Sequence, residues 1–218
     1  MAEFYEQEAC RERLRQGVKA LGLAMDENQE RLLLQFLALL VKWNRAYNLT
    51  AVRQPMEMVG RHLLDSLAVV PHLRGGRCLD IGTGPGLPGI PLAIMCPERA
   101  YVLLDSNGKK TRFVRQAVLE LGLGNVAVQQ QRVEAYRSDE GFDTLIARAF
   151  SSLPRIIEMT SHLRRPGSLL LAMKAEKVEQ ELKALGPGVA SRVIPLRVPF
   201  IEGERCLIEV SHGGDPCG

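Results

Sequence analysis

The stretch Leu79-Asp80-Ile81-Gly82-Thr83-Gly84-Pro85-Gly86-Leu87-Pro88-Gly89 decides how the chain folds. A short apolar run ends in a glycine-rich turn, which opens a helix-like segment over Pro88 to Met95. Glycines at 82, 84 and 86 let the backbone approach a ligand closely and take dihedral angles closed to other residues. Gly84, Gly86 and Gly89 also spell G-x-G-x-x-G, so a dinucleotide site has to be weighed. A tight strand-helix turn with no ligand is the plain alternative.

Residues on either side separate these readings. Asp80 stands two residues before Gly82 and completes D-x-G-x-G-x-G, the pattern of S-adenosylmethionine binders, whose turn wraps the methionine and ribose of a ligand without a pyrophosphate. The next apolar run ends at Asp105, where a carboxylate can accept bonds from both ribose hydroxyls. Asp105 would suit NAD equally, so it argues for an adenosine ligand without choosing one. Asp80 is unexplained by NAD, and no Tyr-x-x-x-Lys pair suits a short-chain reductase.

Outward from the turn, short apolar runs alternate with helix-like segments. Arg77 to Ile81, Tyr101 to Asp105, Val126 to Gln130, Phe142 to Ala147 and Ser168 to Lys174 read as buried strands. Pro88 to Met95, Lys109 to Leu121, Leu153 to Leu163 and Ala175 to Leu185 read as helices. The alternation predicts a doubly wound, mostly parallel sheet. Ser191 to Val198 and Arg205 to Ser211 follow each other with no helix between, which predicts an antiparallel hairpin closing the sheet. Residues 1–75 read as a helical N-terminal region and 76–218 as the catalytic domain. Within the former, Leu32, Leu33, Phe36, Leu37, Leu39, Leu40 and Trp43 form a stripe at helical spacing. A second helix is predicted over Met56 to Val70, with Pro55 in its first turn and Pro71 at its end.

Whole-chain properties narrow the setting. The 28 Lys and Arg against 25 Asp and Glu give a net charge of +3, which by itself selects no partner. The five cysteines are scattered, with no C-x-x-C pair, and read as reduced thiols of a cytoplasmic protein. Neither a signal peptide nor a membrane span is expected. No metal site and no obligate oligomer is expected either, so the chain reads as a monomer.

The match then becomes closer than a fold class. Trp43-Asn44 with Tyr47-Asn48-Leu49-Thr50, Arg61-His62-Leu63-Leu64-Asp65-Ser66-Leu67, the Asp80–Gly89 turn, Leu104-Asp105-Ser106 with Lys109-Lys110, Arg132-Val133-Glu134 and Arg148-Ala149-Phe150 occur in order along the chain. In these the sequence resembles the glucose-inhibited division protein B family, the 16S ribosomal RNA guanine-N7 methyltransferases G. The resemblance implies a Rossmann-like class I methyltransferase with a seven-stranded sheet. It also implies transfer of one methyl group to N7 of a single guanine in the 530 loop, near the decoding centre, leaving S-adenosylhomocysteine. Cofactor contacts through Gly82, Leu87, Val133, Glu134 and Arg148 are implied too. Many members carry Glu at Asp105 and Gly at Ala175; neither departure removes a required group. An S-adenosylmethionine-dependent methyltransferase of another RNA or of a small molecule is the alternative.

The residues fit that chemistry. Guanine N7 already has an in-plane lone pair, so attack on a sulfonium methyl needs alignment and desolvation but no general base. No Pro-Cys motif of cytosine-C5 enzymes and no Asn/Asp-Pro-Pro-aromatic motif of adenine-N6 enzymes stands at the fourth strand, where Ala147-Arg148-Ala149-Phe150 occurs instead. Arg148, at the carboxyl edge where open sheets bind ligands, is the candidate aligning group, against a purely structural ion pair. Asp80, Gly82, Gly84, Gly86, Leu87, Asp105, Val133, Glu134 and Arg148 are the candidate cofactor residues. Asn48, Arg61, His62, Lys109, Lys110 and Lys174 are candidates for the RNA, against a solvated basic face for the lysines. Asn44 and Arg164 or Arg165 form a second tier. His62 and Asp65, three apart on a helix, face one another and read as a hydrogen-bonded structural pair or a substrate-facing wall rather than as an acid-base couple.

Overall fold

The computed structural model describes residues 2–175, 178–185 and 189–211. Its centre is β1 (Arg77–Ile81), flanked by β2 (Ala100–Leu104) and β4 (Phe142–Arg148), with β3 (Val126–Gln129), β5 (Arg164–Lys174), β6 (Ser191–Leu196) and β7 (Arg205–Ser211) completing one sheet. The strand order is β3-β2-β1-β4-β5-β7-β6. The first five strands in sequence pair in parallel, and β7 pairs antiparallel with both β5 and β6. The order reverses between β1 and β2 on one side and β4 on the other. All carboxyl ends of the parallel strands therefore open on one edge, where such sheets place their ligands.

Burial on both faces explains why these strands read as continuous apolar runs rather than alternating ones. Cys78 of β1 and Tyr101 and Leu103 of β2 face one core; Leu79, Ile81 and Leu104 face the other. Helix α5 (Gly89–Met95) and α6 (Gly108–Leu121) cover the first face; α7 (Leu153–Thr160) and α8 (Val178–Lys183) cover the second. α6 starts at an Asn107 cap whose side chain accepts the Lys109 and Lys110 amides, and it ends at Gly122, φ 65°. Helix α8 is shorter than the expected span; Glu176 and Lys177 lie outside the described residues. Strand β5 begins earlier than expected, at Arg164, across an irregular pairing that jumps from Phe142 with Arg164 to Thr144 with Leu169.

From Cys10 onward, the helical region before β1 shares the core of the sheet. Helix α2 (Glu27–Tyr47) lies over α5 and α6, and α1 (Ala2–Ala20) packs on α2 and on the segment from Pro55 to Leu64. The α2 stripe buries Leu33, Phe36 and Leu40 completely, each side chain stabilising the fold by roughly 1.5–3 kcal/mol. Phe36 and Trp43 pack on Phe113 of α6, with centroids 6.3 and 5.6 Å away. An Asp26–Gln29 capping box starts α2.

The helix expected over Met56 to Val70 is broken into pieces. Pro55–Met58 (α3) is α-helical, Val59–Leu64 is a π-helix, Asp65–Leu67 (α4) is α-helical again, and Val70–His72 is a 3-10 turn. Met58, Val59, Leu63 and Leu67 are all fully buried. The apolar spacing is satisfied either way, so it does not register the wider turn.

Candidate active site

The glycine turn is built around Asp80. Its side chain is fully buried; Oδ2 accepts the Thr83 hydroxyl at 2.6 Å and the Gly89 amide at 2.8 Å. Oδ1 has no partner, and burial pushes the carboxyl up to about 6. Asp80 therefore works from beneath, pulling the start of α5 against the end of β1. A Cβ on Gly89 would stand 2.1 Å from Leu103 and 2.7 Å from that carboxylate oxygen, so only glycine allows the approach. Gly82, Gly84 and Gly86 all have positive φ, at 66°, 58° and 84°. Leu87 is buried below them.

Asp105 closes the turn from the side. Its Oδ2 accepts the Gly84 amide at 2.9 Å and its Oδ1 accepts the Asn107 amide at 2.8 Å, leaving each oxygen a further lone pair. Above it lies a cleft of about 270 Å³ lined by Gly82, Asp105, Lys110, Val133, Glu134 and Phe150, among others. The cofactor candidates Gly82, Asp105, Val133 and Glu134 thus come together with Lys110, a residue first read as an RNA candidate. The lining fits an adenosylated sulfonium: a carboxylate with lone pairs free for hydroxyls, a buried apolar Val133, and a glycine backbone that allows close approach. No diphosphate-sized basic pocket is needed. Phe150 lies directly against Gly82, whose Cβ, if present, would meet its ring at 2.2 Å.

Arg148 stands outside the lining of the cleft. It donates from Nη1 to Asp65 Oδ2 at 3.2 Å and to the Arg61 carbonyl at 3.3 Å. The π-turn makes the second bond available. In an α-helix the Asp65 amide would take the Arg61 carbonyl; here it donates to the carbonyls of Gly60, five residues back, and His62. Asp65 is buried, and its other oxygen lies 3.6 Å from Arg205 Nε. Burial raises its pKa, while Arg148 and Arg205 oppose the rise.

His62 does not pair with Asp65, contrary to the helical-face expectation. Its Nε2 lies 2.9 Å from the Thr50 hydroxyl. The Thr50 amide in turn donates to Asn44 Oδ1 at 2.9 Å. Burial, with the Arg148 charge nearby, lowers the imidazole to about 4, so it is neutral. Asn48 is the left-handed C-cap of α2, φ 49°, and takes a bond from Arg53. Arg61 is exposed and paired with Glu57 at 3.1 Å.

Lys174 lies within the same edge but is tied down. Its Nζ donates to the Ser151 carbonyl at 2.8 Å and pairs with Glu181 at 2.9 Å. Glu181 also accepts the Leu153 amide at 2.6 Å, so this pair anchors the turn after β4 that carries Ala149, φ 48°, and Phe150. Lys109 is exposed beside Arg112 and Arg115 on α6. Arg164 and Arg165 sit at the opposite edge of the sheet, bound to the Ile157 carbonyl and to Asp143, and take no part in the site.

Sequence reasoning missed Asp65 as the partner of Arg148, Arg205 as its second cation, Glu181 as the anchor of Lys174, and Phe150 as a wall of the cleft. A carboxylate inside the apolar run from Leu63 to Leu67 was the available signal for Asp65. Arg205 and Glu181 become neighbours of the site only through the fold.

The sheet order, the antiparallel last strand and the glycine turn under a carboxylate define the class I S-adenosylmethionine-dependent methyltransferase fold. A crystal structure of a methyltransferase from Geobacter sulfurreducens superposes with a TM-score of 0.57 at 18% identity, covering 91% of this chain and 96% of that one. The model of the family described as rRNA small subunit methyltransferase G matches residues 29–208. Ribosomal RNA small subunit methyltransferase G of Methylococcus capsulatus is 52% identical over 201 residues, 92% of this chain and 98% of that protein. That of Chromobacterium violaceum is 51% identical over 199 residues, 90% and 95% of the two chains. The chain belongs to the rRNA small subunit methyltransferase G family, whose members use S-adenosylmethionine.

Proposed function

We propose that this protein transfers a methyl group from S-adenosylmethionine to N7 of one guanine in the 530 loop of 16S ribosomal RNA, acting as a cytoplasmic monomer on the RNA or the small subunit. The observation that carries the reading is the meeting, at one sheet edge, of the Gly82–Asp105–Val133 cleft with Arg148 held by Asp65. The cofactor supplies an electrophilic methyl group on a sulfonium. Asp105 accepts the ribose hydroxyls, the Val133 and Glu134 backbone reads the adenine, and Gly82, Gly84 and Gly86 let the chain pass close beneath. Asp80 and Leu87 hold that turn in shape.

Alignment falls to Arg148. Its Nη1 is engaged with Asp65 and Arg61, and its other N–H groups are left for the guanine O6, beside the N7 lone pair. No proton has to be removed before attack, and none of the site's groups is placed as a base: His62 is neutral and turned to Thr50. Lys110 and Lys109 would meet phosphates, while Asn48, Arg61, His62 and Lys174 support the RNA-facing wall. The helical region before β1 supplies Asn48, Arg61 and His62 to that wall, and the sheet domain supplies Lys174 together with the cofactor side. Among the described residues no helix is long and apolar enough to cross a membrane.

The test is incubation with methyl-labelled S-adenosylmethionine and small subunits from a strain lacking the gene, followed by cleavage at N7-methylguanine. One labelled guanine in the 530 loop is the expected result. No label with cofactor binding intact moves the substrate to another RNA or a small molecule.

A further inference from the structure

The loop between β6 and β7, residues 197–204, lies at the reacting edge of the sheet. Leu196 pairs with Arg205 across the hairpin, and Cys206 pairs with Lys174 at the carboxyl end of β5. Within this loop Phe200 has φ 64° and is 47% exposed. A bulky side chain in the left-handed region is a costly arrangement, and the exposed ring recovers little of that cost by burial. The Arg13 guanidinium lies over the ring, 4.4 Å from its centroid. Beside it, the Phe200 carbonyl and Ile201 lie 3.7 and 3.6 Å from where a Cβ on Gly60 would stand. Gly60 adjoins Arg61, whose carbonyl Arg148 holds, and the loop runs on into Arg205 beside Asp65. A strained, exposed aromatic is thus fixed on the rim of the site, one residue from its framework.

We propose that Phe200, backed by Arg13, is a stacking platform for an unpaired base of the RNA substrate, an inference that rests on the proposed RNA reaction. Unpaired bases are recognised by stacking on aromatic rings and guanidinium planes. The loop is a poor phosphate site, because Glu202 and Glu204 balance Arg197 and Arg205. The contact is therefore to a base face, and it adds little to the salt dependence of binding.

Phe200→Gly tests this cleanly, since glycine suits the backbone conformation. The variant is expected to melt at or above the wild-type temperature and to bind S-adenosylhomocysteine as the wild type does. Its KM for deproteinised small-subunit RNA should rise about tenfold, within the usual range for losing one stacked base. The maximal rate and the slope of affinity against salt should stay unchanged, and Phe200→Trp should restore the KM. An unchanged KM overturns the proposal. So does a KM that rises only with assembled subunits, which would give the ring a protein partner. If Phe200→Gly and Arg13→Ala lower the melting temperature equally with no change in KM, the pair is a clamp for α1. Wild-type protein that labels no small-subunit RNA overturns the reaction reading itself, and this inference with it.

Discussion

The two walls of the site are made differently. The cofactor wall is a backbone construction: glycines at positive φ, two carboxylates accepting amide protons, and a strand end on which they hang, all between residues 80 and 107. The opposite wall is a side-chain construction. Arg148 meets Asp65 across 83 positions of sequence, Lys174 meets Glu181, and His62 meets Thr50. Backbone constructions fail when a Cβ is added. Side-chain constructions fail when one partner of a buried pair is removed, because the other is left charged and unmatched. The difference teaches where each half can be broken without touching the other.

The largest effect is expected on the side-chain wall. Arg148→Ala leaves Asp65 buried with only the longer Arg205 contact and should cost roughly 3–5 kcal/mol of stability, read from denaturant midpoints. Adding Asp65→Asn should recover most of that stability and none of the methylation. If activity returned with stability, Arg148 would be a structural ion pair and nothing more.

On the backbone wall, Gly84→Asp places an L side chain at φ 58° and a second carboxylate beside Asp105. Affinity for S-adenosylhomocysteine should fall at least ~100-fold, about 2.7 kcal/mol, with the helical wall intact by circular dichroism. Calorimetric binding within a few-fold of wild type would remove Gly84 from the cofactor site.

The third test sharpens the comparison through pH. His62 is held neutral, with its pKa lowered from 6.5 to about 4, so the unfolded state binds the proton more tightly. The stability this gives is complete above pH 6.5 and lost as pH falls towards 4, an effect on the order of 3 kcal/mol. Asp80, raised from 3.8 to about 6, acts in the opposite sense: its protonated form favours the fold at low pH, and that benefit is lost as pH rises through 6. Removing the imidazole leaves the Asp80 contribution unopposed, so His62→Gln should gain stability relative to wild type as pH falls from 6.5 to 4, read from melting curves against pH. Identical curves for the two proteins would show that the imidazole titrates freely.

The smallest effect belongs to Asp105→Ala. It removes the proposed ribose acceptor and the two amide bonds together, and should weaken S-adenosylhomocysteine about tenfold, or 1.4 kcal/mol. Unchanged affinity would withdraw the ribose assignment.

The same division governs what was legible in the sequence. Strand-helix alternation, the closing hairpin and the glycine turn are local patterns, and the structure reproduces them with shifts of one or two residues at most strand ends. The Asp65–Arg148 pair is a long-range consequence of sheet order and could not be read from spacing; i,i+3 logic even assigned Asp65 to the wrong partner, His62. The early start of β5 went unread because Arg164-Arg165-Pro166-Gly167 looks like a turn, and its strand hydrogen bonds depend on Phe142 lying opposite. Arg164 and Arg165 were misplaced for the same reason: basic residues near a strand do not say which end of it they occupy.

The π-turn at Val59–Leu64 has a genetic corollary. The segment carries one amino acid more than an α-helix of the same rise would need, and the carbonyl it liberates is the one Arg148 uses. Point substitutions leave that surplus in place. A single in-frame codon deletion between 59 and 64 would abolish it and return the Arg61 carbonyl to the helix, while the turn that follows keeps its rise and facing, because the wider turn had absorbed the extra residue. Asp65 would still face Arg148, which would lose the carbonyl bond alone, in a segment that is still helical and still apolar. Chain length, and not only side-chain identity, is thus an inherited determinant of this wall.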